Sequence, residues 1–417
     1  MFIDLSPFRH KNFRRLFFGQ LISAFGTQIT AVVIPFQVYL ITQSTFYTGL
    51  ISGVEFIFIF ISSLLGGVLA DRFEKRKILI LAEIGLSIVP FGFAINSLSD
   101  TPNLWVIFAL ASVASFLGGI HRPALEALTP RLVSEDEIAK ISALTPIRHI
   151  LTTILSPMIG GFAMVTIGAF YTYIFDAITF FISLLFLLGI NYKKLTAYDE
   201  RFPRKSMIGE IIEGYRYIRS RQEIFGSYAT DFIVMVLCNP MALYPALATA
   251  FHKENAVGML YAFPSIGAFL MTITSRWTLS RQRYGVFIIS AAALWSLSLV
   301  FVGLAPTYNL ILLALFFAGF FDMVSGVFRM SLWNETIPEF IRGRIAGFEM
   351  LGYMSGPLLG NAILGFLADF IGIQTALFWG ALSSLVLVAV FNFFSPGLWK
   401  YTKEIPKKPE LASDSKI

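Results

Sequence analysis

The sequence predicts an all-α membrane protein whose twelve transmembrane helices form two pseudo-symmetric six-helix bundles. Three observations predict this. Of the 417 residues, 56% are hydrophobic and only 14% charged, too little charge to cover the surface of a soluble domain. The apolar residues fall in long runs, each able to cross a hydrocarbon layer that needs roughly 20 residues of helix. Short alternating segments of the kind that build transmembrane barrels are absent. Finally, motifs of the first half recur in the second.

Taken in order, the first six spans fall at about 15–40, 46–69, 78–97, 104–127, 141–166 and 170–190. The second six fall at about 224–250, 256–277, 285–305, 309–333, 344–370 and 373–395. Connections such as those around Gln43 and Pro306 are short, which makes neighbouring spans antiparallel. The basic start (Arg9, Lys11, Arg14, Arg15) runs into a span too long for a signal-peptide core, so it reads as a retained first helix. Of the 32 Lys and Arg, Lys253 alone falls in an external loop, and Arg122, Arg148 and Arg329 fall within spans. The rest cluster on one side, so the positive-inside rule places both termini in the cytoplasm. The net charge of +6 is therefore a topology signal, and no nucleic-acid partner is expected.

Residues 191–223 form the long polar segment between spans. They carry both charge signs and an apolar patch at Ile208, Ile211, Ile212 and Tyr215. The expected organisation is a bundle over 1–190, a cytoplasmic linker over 191–223, a second bundle over 224–395 and a cytoplasmic tail over 396–417. Leu128-Thr129-Pro130 is echoed by Thr336-Ile337-Pro338, and Ser156-Pro157 by Gly356-Pro357, each roughly 200 residues later, as in transporters built from two homologous halves. The lone Cys238 excludes an intramolecular disulfide and leaves the redox compartment open.

The strongest local signal joins spans two and three: Gly67-Val68-Leu69-Ala70-Asp71-Arg72-Phe73-Glu74-Lys75-Arg76-Lys77. It resembles the signature loop of the major facilitator superfamily, except that Glu74 stands where glycine is usual. Gly67 would allow close helix approach, and Asp71 could pair with basic groups or a helix N-terminus and latch one conformation. The ordinary alternative, a positive-inside loop, explains the charges but not the spacing. Gly365-Phe366-Leu367-Ala368-Asp369 has similar spacing but no basic cluster after it, and reads as packing plus a helix end. Gly356-Pro357 is similar to the motif that exporters of this superfamily usually carry in span five, where this chain has Ser156-Pro157. Gly67, Asp71, Arg72, Arg76, Gly356 and Pro357 are thus candidate conformational-switch residues.

The run 66–77, Ile34-Pro35-Phe36-Gln37 with Ser44-Thr45 and Gly49-Leu50, Leu243-Tyr244-Pro245-Ala246-Leu247-Ala248, and Gly343-Arg344-Ile345-Ala346-Gly347 resemble the enterobactin-exporter branch. The resemblance covers nearly the whole chain. It implies the major facilitator fold, with spans one, four, seven and ten lining a central cavity, and siderophore export from a bacterial cytoplasm across the inner membrane.

Ionisable residues inside spans are costly, and so are functional candidates. A proton-coupled carrier needs buried carboxylates. Glu55 and Asp322 sit well inside their spans, followed by Asp176 and Asp231 as candidates. Glu83 and Glu349 lie within about two turns of the cytoplasmic ends, where pairing with loop Arg or Lys is at least an equal alternative to a proton-carrying role. Arg122 and Arg329 occupy equivalent places in spans four and ten. Two such guanidinium groups would grip a carboxylate- or catecholate-bearing anion through forked bonds; local pairing, as of Arg122 with Glu126, is an equal alternative. Arg148 joins them as a substrate-binding candidate. Gln28 and Gln37, with Gln20, would bond either a ligand or neighbouring helices. His10, His121, His149 and His252 show no metal-ligand spacing. His121 and His149 adjoin arginines and read as polar helix contacts more readily than as proton relays. No phosphate-binding loop or nucleophile motif is present, which argues against an ATP-driven pump or an enzyme.

The expectation is a secondary active exporter, a proton antiporter without cofactor, that moves a siderophore or similar amphiphilic anion and works as a monomer in the bilayer. An outer-membrane export partner is left unnamed by the sequence. Multidrug or macrolide efflux is the rival within transport, and a non-transporting scaffold or sensor the rival from another class.

Overall fold

The computed structural model describes residues 6–134, 137–190 and 207–403; the side chains of Asp71, Arg72, Arg148, His149 and Glu349, and the surroundings of Gly67, lie outside that description. No strand occurs among the described residues. Six helices build the first half: α1 (Lys11–Thr42), α2 (Thr45–Arg72), α3 (Lys75–Ser97), α4 (Leu104–Leu128), α5 (Ile138–Thr166) and α6 (Gly168–Leu188). After α7 (Met207–Ser220) come α8 (Gln222–Cys238), α9 (Tyr244–Ala250), α10 (Val257–Thr274), α11 (Tyr284–Leu304), α12 (Tyr308–Thr336), α13 (Glu339–Ile371), α14 (Ile373–Phe394) and the short α15 (Gly397–Lys400).

Counting α8 and α9 as one interrupted crossing, the helices make twelve spans. Among the described residues, ten helical stretches are long and apolar enough to cross a membrane by length and composition. The two others, α5 and α13, hold equivalent places in the two halves, and their described apolar stretches are shorter. Helix ends follow local chemistry. Asn103 caps α4 by accepting from the backbone N–H of Trp105 and Val106, satisfying donors that a helix start leaves without partners. Gly168 and Gly372 adopt φ of +84° and +85°, a conformation cheap only for glycine. Each reverses the chain between long helices, α5–α6 and α13–α14, so even the turn chemistry repeats between halves.

Packing repeats as well. In the first bundle α1 lies on α5 and α6, α2 on α4, and α3 on α4 and α6; in the second α8 lies on α13 and α14, α10 on α12, and α11 on α12 and α14. Between bundles α2 meets α13 and α5 meets α10, the same contact exchanged by the pseudo-twofold axis. The outward surface is apolar: Leu81, Ile84, Ile88, Phe91 and Ile95 recur every three or four residues along α3 and are all exposed. Polar side chains such as Glu83 and Asp176 are buried instead. This inside-out distribution suits hydrocarbon as solvent. A surface groove between α11 and α12 is lined by Leu294, Phe301, Leu313 and Phe317 with no ionisable group in its lining, as suits a lipid face.

Glycines set the closest crossings. A Cβ at Gly319 of α12 would collide with the Pro264 backbone of α10, and one at Gly267 of α10 with the backbone of Phe316. Backbone cannot rotate away as a side chain can, so a leucine at Gly319 must push the two helices apart. Gly319→Leu is expected to cost about 3 kcal/mol or more, at the upper end of overpacking costs, and to abolish a cooperative thermal transition in detergent. A wild-type transition in that variant would refute the crossing.

The span read from sequence as 224–250 is interrupted. Helix α8 stops at Cys238, Asn239 and Pro240 follow, and a short turn at Met241–Leu243 leads into α9. Pro240 has no N–H to continue the α8 ladder. The freed groups find partners: Ala242 N–H donates to Asn361 Oδ1 of α13 (3.1 Å), and Tyr261 Oη donates to the Met241 carbonyl (3.3 Å). Irregular backbone at membrane depth survives only where protein satisfies it in this way.

Both described chain ends lie at one end of the molecule. Leu398 of α15 is fully buried against Gly226 of α8 and Gly285 of α11. Beyond it Lys403 pairs with Glu335 of α12 and donates to Tyr284 Oη (3.1 Å). Before α1, His10 pairs with Glu137 (2.5 Å), which also accepts from Ser134 Oγ (2.8 Å). The Ser134 bond, helped by His10 and opposed by burial, holds the Glu137 carboxyl below its ordinary range. The stabilisation it brings is present above the ordinary carboxylate range and fades as pH falls through the lowered value. Helix α7, which carries the Ile212 and Tyr215 predicted as an apolar patch, packs on α13, and Tyr217 Oη donates to the Thr336 carbonyl (3.2 Å).

Candidate functional site

The equivalent helices α4 and α12 each leave open space at one glycine, Gly118 and Gly326, where an added Cβ would meet nothing within 4 Å. The candidate arginines stand about one turn further along, at Arg122 and Arg329. Asp322, Gly326 and Arg329 share one face of α12 by their spacing of four and three residues. Arg329 forms an ion pair with Asp231 of α8, and Asp322 lies within electrostatic reach of both. One cation thus sits between two carboxylates on two helices. Arg122 meets Glu126 one turn along α4 (3.3 Å), with both side chains well exposed. The two arginines therefore differ in setting: Arg329 is 11% exposed in its ion pair and Arg122 43%.

On α2, Glu55 is half-buried and shares a face with Ser62 and Gly66, which pack against Gly119 of α4. Asp176 of α6 is 2% exposed and accepts from Thr30 Oγ1 of α1 (2.6 Å) and Thr179 Oγ1 (3.4 Å). The glutamines of α1 divide. Gln37 accepts from Tyr173 Oη (2.7 Å) inside the bundle, and Gln20 donates to Glu83. Gln28 lies on the more open side of α1, with Thr27 and Ala31.

Of the candidate switch residues, Arg76 donates to the Leu188 carbonyl at the end of α6 (2.9 Å), where cations are favoured. Gly356, with Pro357 in the same helix α13, packs on α8: a Cβ there would lie 2.9 Å from Met235 Cβ. Gly67, Asp71 and Arg72 fall outside the described surroundings, as does the side chain of Arg148.

The Gly365–Asp369 segment does more than end a helix. Asp369 Oδ1 accepts from Ser44 Oγ (2.7 Å) and from the Phe46 N–H (3.4 Å), so a carboxylate of the second bundle caps the start of α2 in the first. One turn away the backbones of Gly365 and Gly49 touch, with a Cβ at Gly49 falling 2.9 Å from Gly365 Cα. The matching seam brings Gly161 of α5 onto Gly258 of α10. Both seams lie at the end away from the chain termini. For Glu83 the sequence left open either a functional role or pairing with loop cations. The structure seals it inside the first bundle, with Gln20, His121 and Ser183 around it. Among the described residues, no three of His, Cys, Asp and Glu gather to hold a metal ion.

Twelve spans in two six-helix bundles related by a pseudo-twofold axis, with ion pairs and acids buried between apolar faces, are the architecture of a major facilitator transporter. The family model described as "transmembrane secretion effector" matches residues 3–413, and the chain belongs to that family. Among curated proteins it is similar to the enterobactin exporters EntS of Shigella boydii serotype 18, at 30% identity, and of Citrobacter koseri, at 29%, each over 85% of both chains. Among solved structures it resembles the nucleoside transporter NupG (TM-score 0.72, 16% identity, 94% of this chain and 99% of that one). It also resembles a bacterial homologue of the iron transporter ferroportin in an inward-facing state (TM-score 0.68, 13% identity, 93% and 98%). At such identities these structures speak for the fold alone. The protein is a multi-pass membrane export transporter.

Proposed function

We propose that this chain exports a siderophore or similar amphiphilic anion from a bacterial cytoplasm, driven by proton antiport and working by alternating access. The observation that carries this reading is the similarity, over 85% of both chains, to relatives named as exporters of one siderophore. The bundles, taken as residues 1–190 and 224–395 joined by a linker over 191–223, would rock about a site reached by Arg122, Arg329 and Gln28; Arg148, whose side chain lies outside the described residues, remains a candidate from the sequence. Glu55 and Asp322, then Asp176 and Asp231, are the acids to load and release protons; no cofactor is needed beyond the gradient. The loop from Gly67 to Lys77 would latch the end that carries the termini, which the basic residues assign to the cytoplasm. The seams at Gly49–Gly365 and Gly161–Gly258 close the other end, as an inward-facing carrier requires. The unit of function is a monomer in the inner membrane.

The test is mass spectrometry of metabolites secreted by iron-starved cells with and without the gene. Loss of one iron-chelating compound outside, with accumulation inside, is the expected result. An unchanged secreted profile would overturn the siderophore reading and move the search to drug efflux.

A further inference from the structure

Glu83 of α3 has no exposed surface. Three side chains from three other helices converge on its Oε1: Gln20 Nε2 of α1, Ser183 Oγ of α6 (3.0 Å) and His121 Nε2 of α4 (3.5 Å). Its Oε2 has no hydrogen-bond partner. This asymmetry has a chemical meaning. An ionised carboxylate spreads its charge over both oxygens, and a sealed anionic oxygen with no donor is costly in an apolar interior. A carboxylic acid has one carbonyl oxygen, which accepts bonds, and one hydroxyl, whose solitude costs far less. A carboxylic acid with its hydroxyl at Oε2 fits this arrangement at lower cost than a carboxylate would.

Among the described residues, His121 is the titratable side chain that touches Glu83. Gln20 and Ser183 are neutral. The nearby cations at the termini end are engaged elsewhere: Arg15 and Arg76 donate to the Gly189 and Leu188 carbonyls at the end of α6, and Lys75 stands two turns back along α3. Asp176 lies two turns along α6 and is held by Thr30 and Thr179. On α4, Arg122 points to Glu126. Glu83 is fully sealed, whereas the His121 side chain keeps 13% of its surface exposed.

We propose that Glu83 and His121 form a proton-binding site inside the first bundle, with His121 the member that exchanges protons with the aqueous side and Glu83 the sealed store. In the transfer the Nε2–H bond of the imidazolium breaks and an O–H bond forms on Glu83 Oε1, the oxygen His121 faces; a half-turn of the carboxyl then carries the hydroxyl to the unpartnered position, leaving neutral imidazole beside a neutral acid. Reversal leaves a carboxylate beside an imidazolium, a charge pair that tightens the 3.5 Å contact. His121 precedes Arg122, so its charge changes one residue from the proposed cargo site. This role in coupling rests on the export reading above, whereas proton binding itself does not.

The experiment is infrared difference spectroscopy of the purified full chain between acid and alkaline pH, in the wild type, Glu83→Gln and His121→Gln. The expected result is a carbonyl band of a buried carboxylic acid that is lost in Glu83→Gln, and whose pH dependence changes in His121→Gln, with wild-type melting in both. An unchanged band in Glu83→Gln would overturn the site and reduce the cluster to packing. If Glu83→Gln does not fold, His121→Gln decides, and a pH response identical to wild type overturns the proposal. In proteoliposomes with a trapped pH dye and iron-free enterobactin as probe, Glu83→Gln is expected to lose probe-driven proton movement. If the wild type moves no enterobactin, the cargo reading fails while the infrared result still decides the proton site.

Discussion

Arg329→Gln is expected to lower folding stability by about 3 kcal/mol, the cost of stranding one partner of a buried ion pair, and to stop transport. Arg329 is 11% exposed and its partner Asp231 20%, so water screens the pair little, and Asp322 on the same face of α12 adds a second carboxylate. Removing the guanidinium leaves two acids with weakened compensation between helices α8 and α12. Asp231→Asn alone is expected to cost less, because Arg329 retains Asp322 within reach. The double variant Arg329→Gln/Asp231→Asn should recover part of the lost stability, since of the two acids only Asp322 then remains without the guanidinium. Thermal melts in detergent and transport assays on the same preparations separate two roles. Recovered stability with transport still absent, where Asp231→Asn alone still transports, assigns Arg329 to the cargo. Recovery of both would make it a structural counter-ion only and sink the anion-binding role.

The second large effect concerns the seam between bundles. Gly365→Val is expected to leave each bundle folded and to reduce transport by tenfold or more. A Cβ at Gly365 would lie 2.6 Å from Gly49 Cα and 2.7 Å from the Thr45 carbonyl, all backbone of the opposite bundle. The collision therefore falls between two bodies that can part, unlike the Gly319 crossing, which lies inside one. Parting them also withdraws Asp369 from the start of α2, a capping contact worth about 1 kcal/mol. A cysteine placed at Gln28 reports the change, because the native Cys238 is buried: labelling from the termini side should fall as the opposite end is held open. Wild-type transport by Gly365→Val would mean that this seam never needs to close.

Much of the fold was legible in the chain because hydrocarbon imposes a simple rule. A helix must be long and apolar to cross, and Lys and Arg stay on one side. The half-repeat was legible in Pro130 and Pro338, and it extends to features that sequence reasoning passed over: the turns at Gly168 and Gly372, and the open positions at Gly118 and Gly326. The interruption at Asn239-Pro240 was hidden because an apolar run of ordinary length surrounds it, and the partner that makes it tolerable, Asn361, lies on another helix. The partners of Glu83 were hidden for a related reason. Its distance from the helix end suggested loop cations, but Arg76, which starts the same helix, turns to the Leu188 carbonyl, and three other helices deliver Gln20, His121 and Ser183 instead.

Sequence alone determined the number of spans, their division into two halves and the short list of intramembrane charges, because each is a property of one segment against the bilayer. Tertiary structure decided which of those charges meet. It paired Arg329 with Asp231, turned Gln37 to Tyr173, sealed Glu83 with His121, and made Asp369 a cap for a helix of the opposite bundle. These are contacts between residues far apart in the chain, and helical spacing states which face a side chain occupies but not which helix that face will meet.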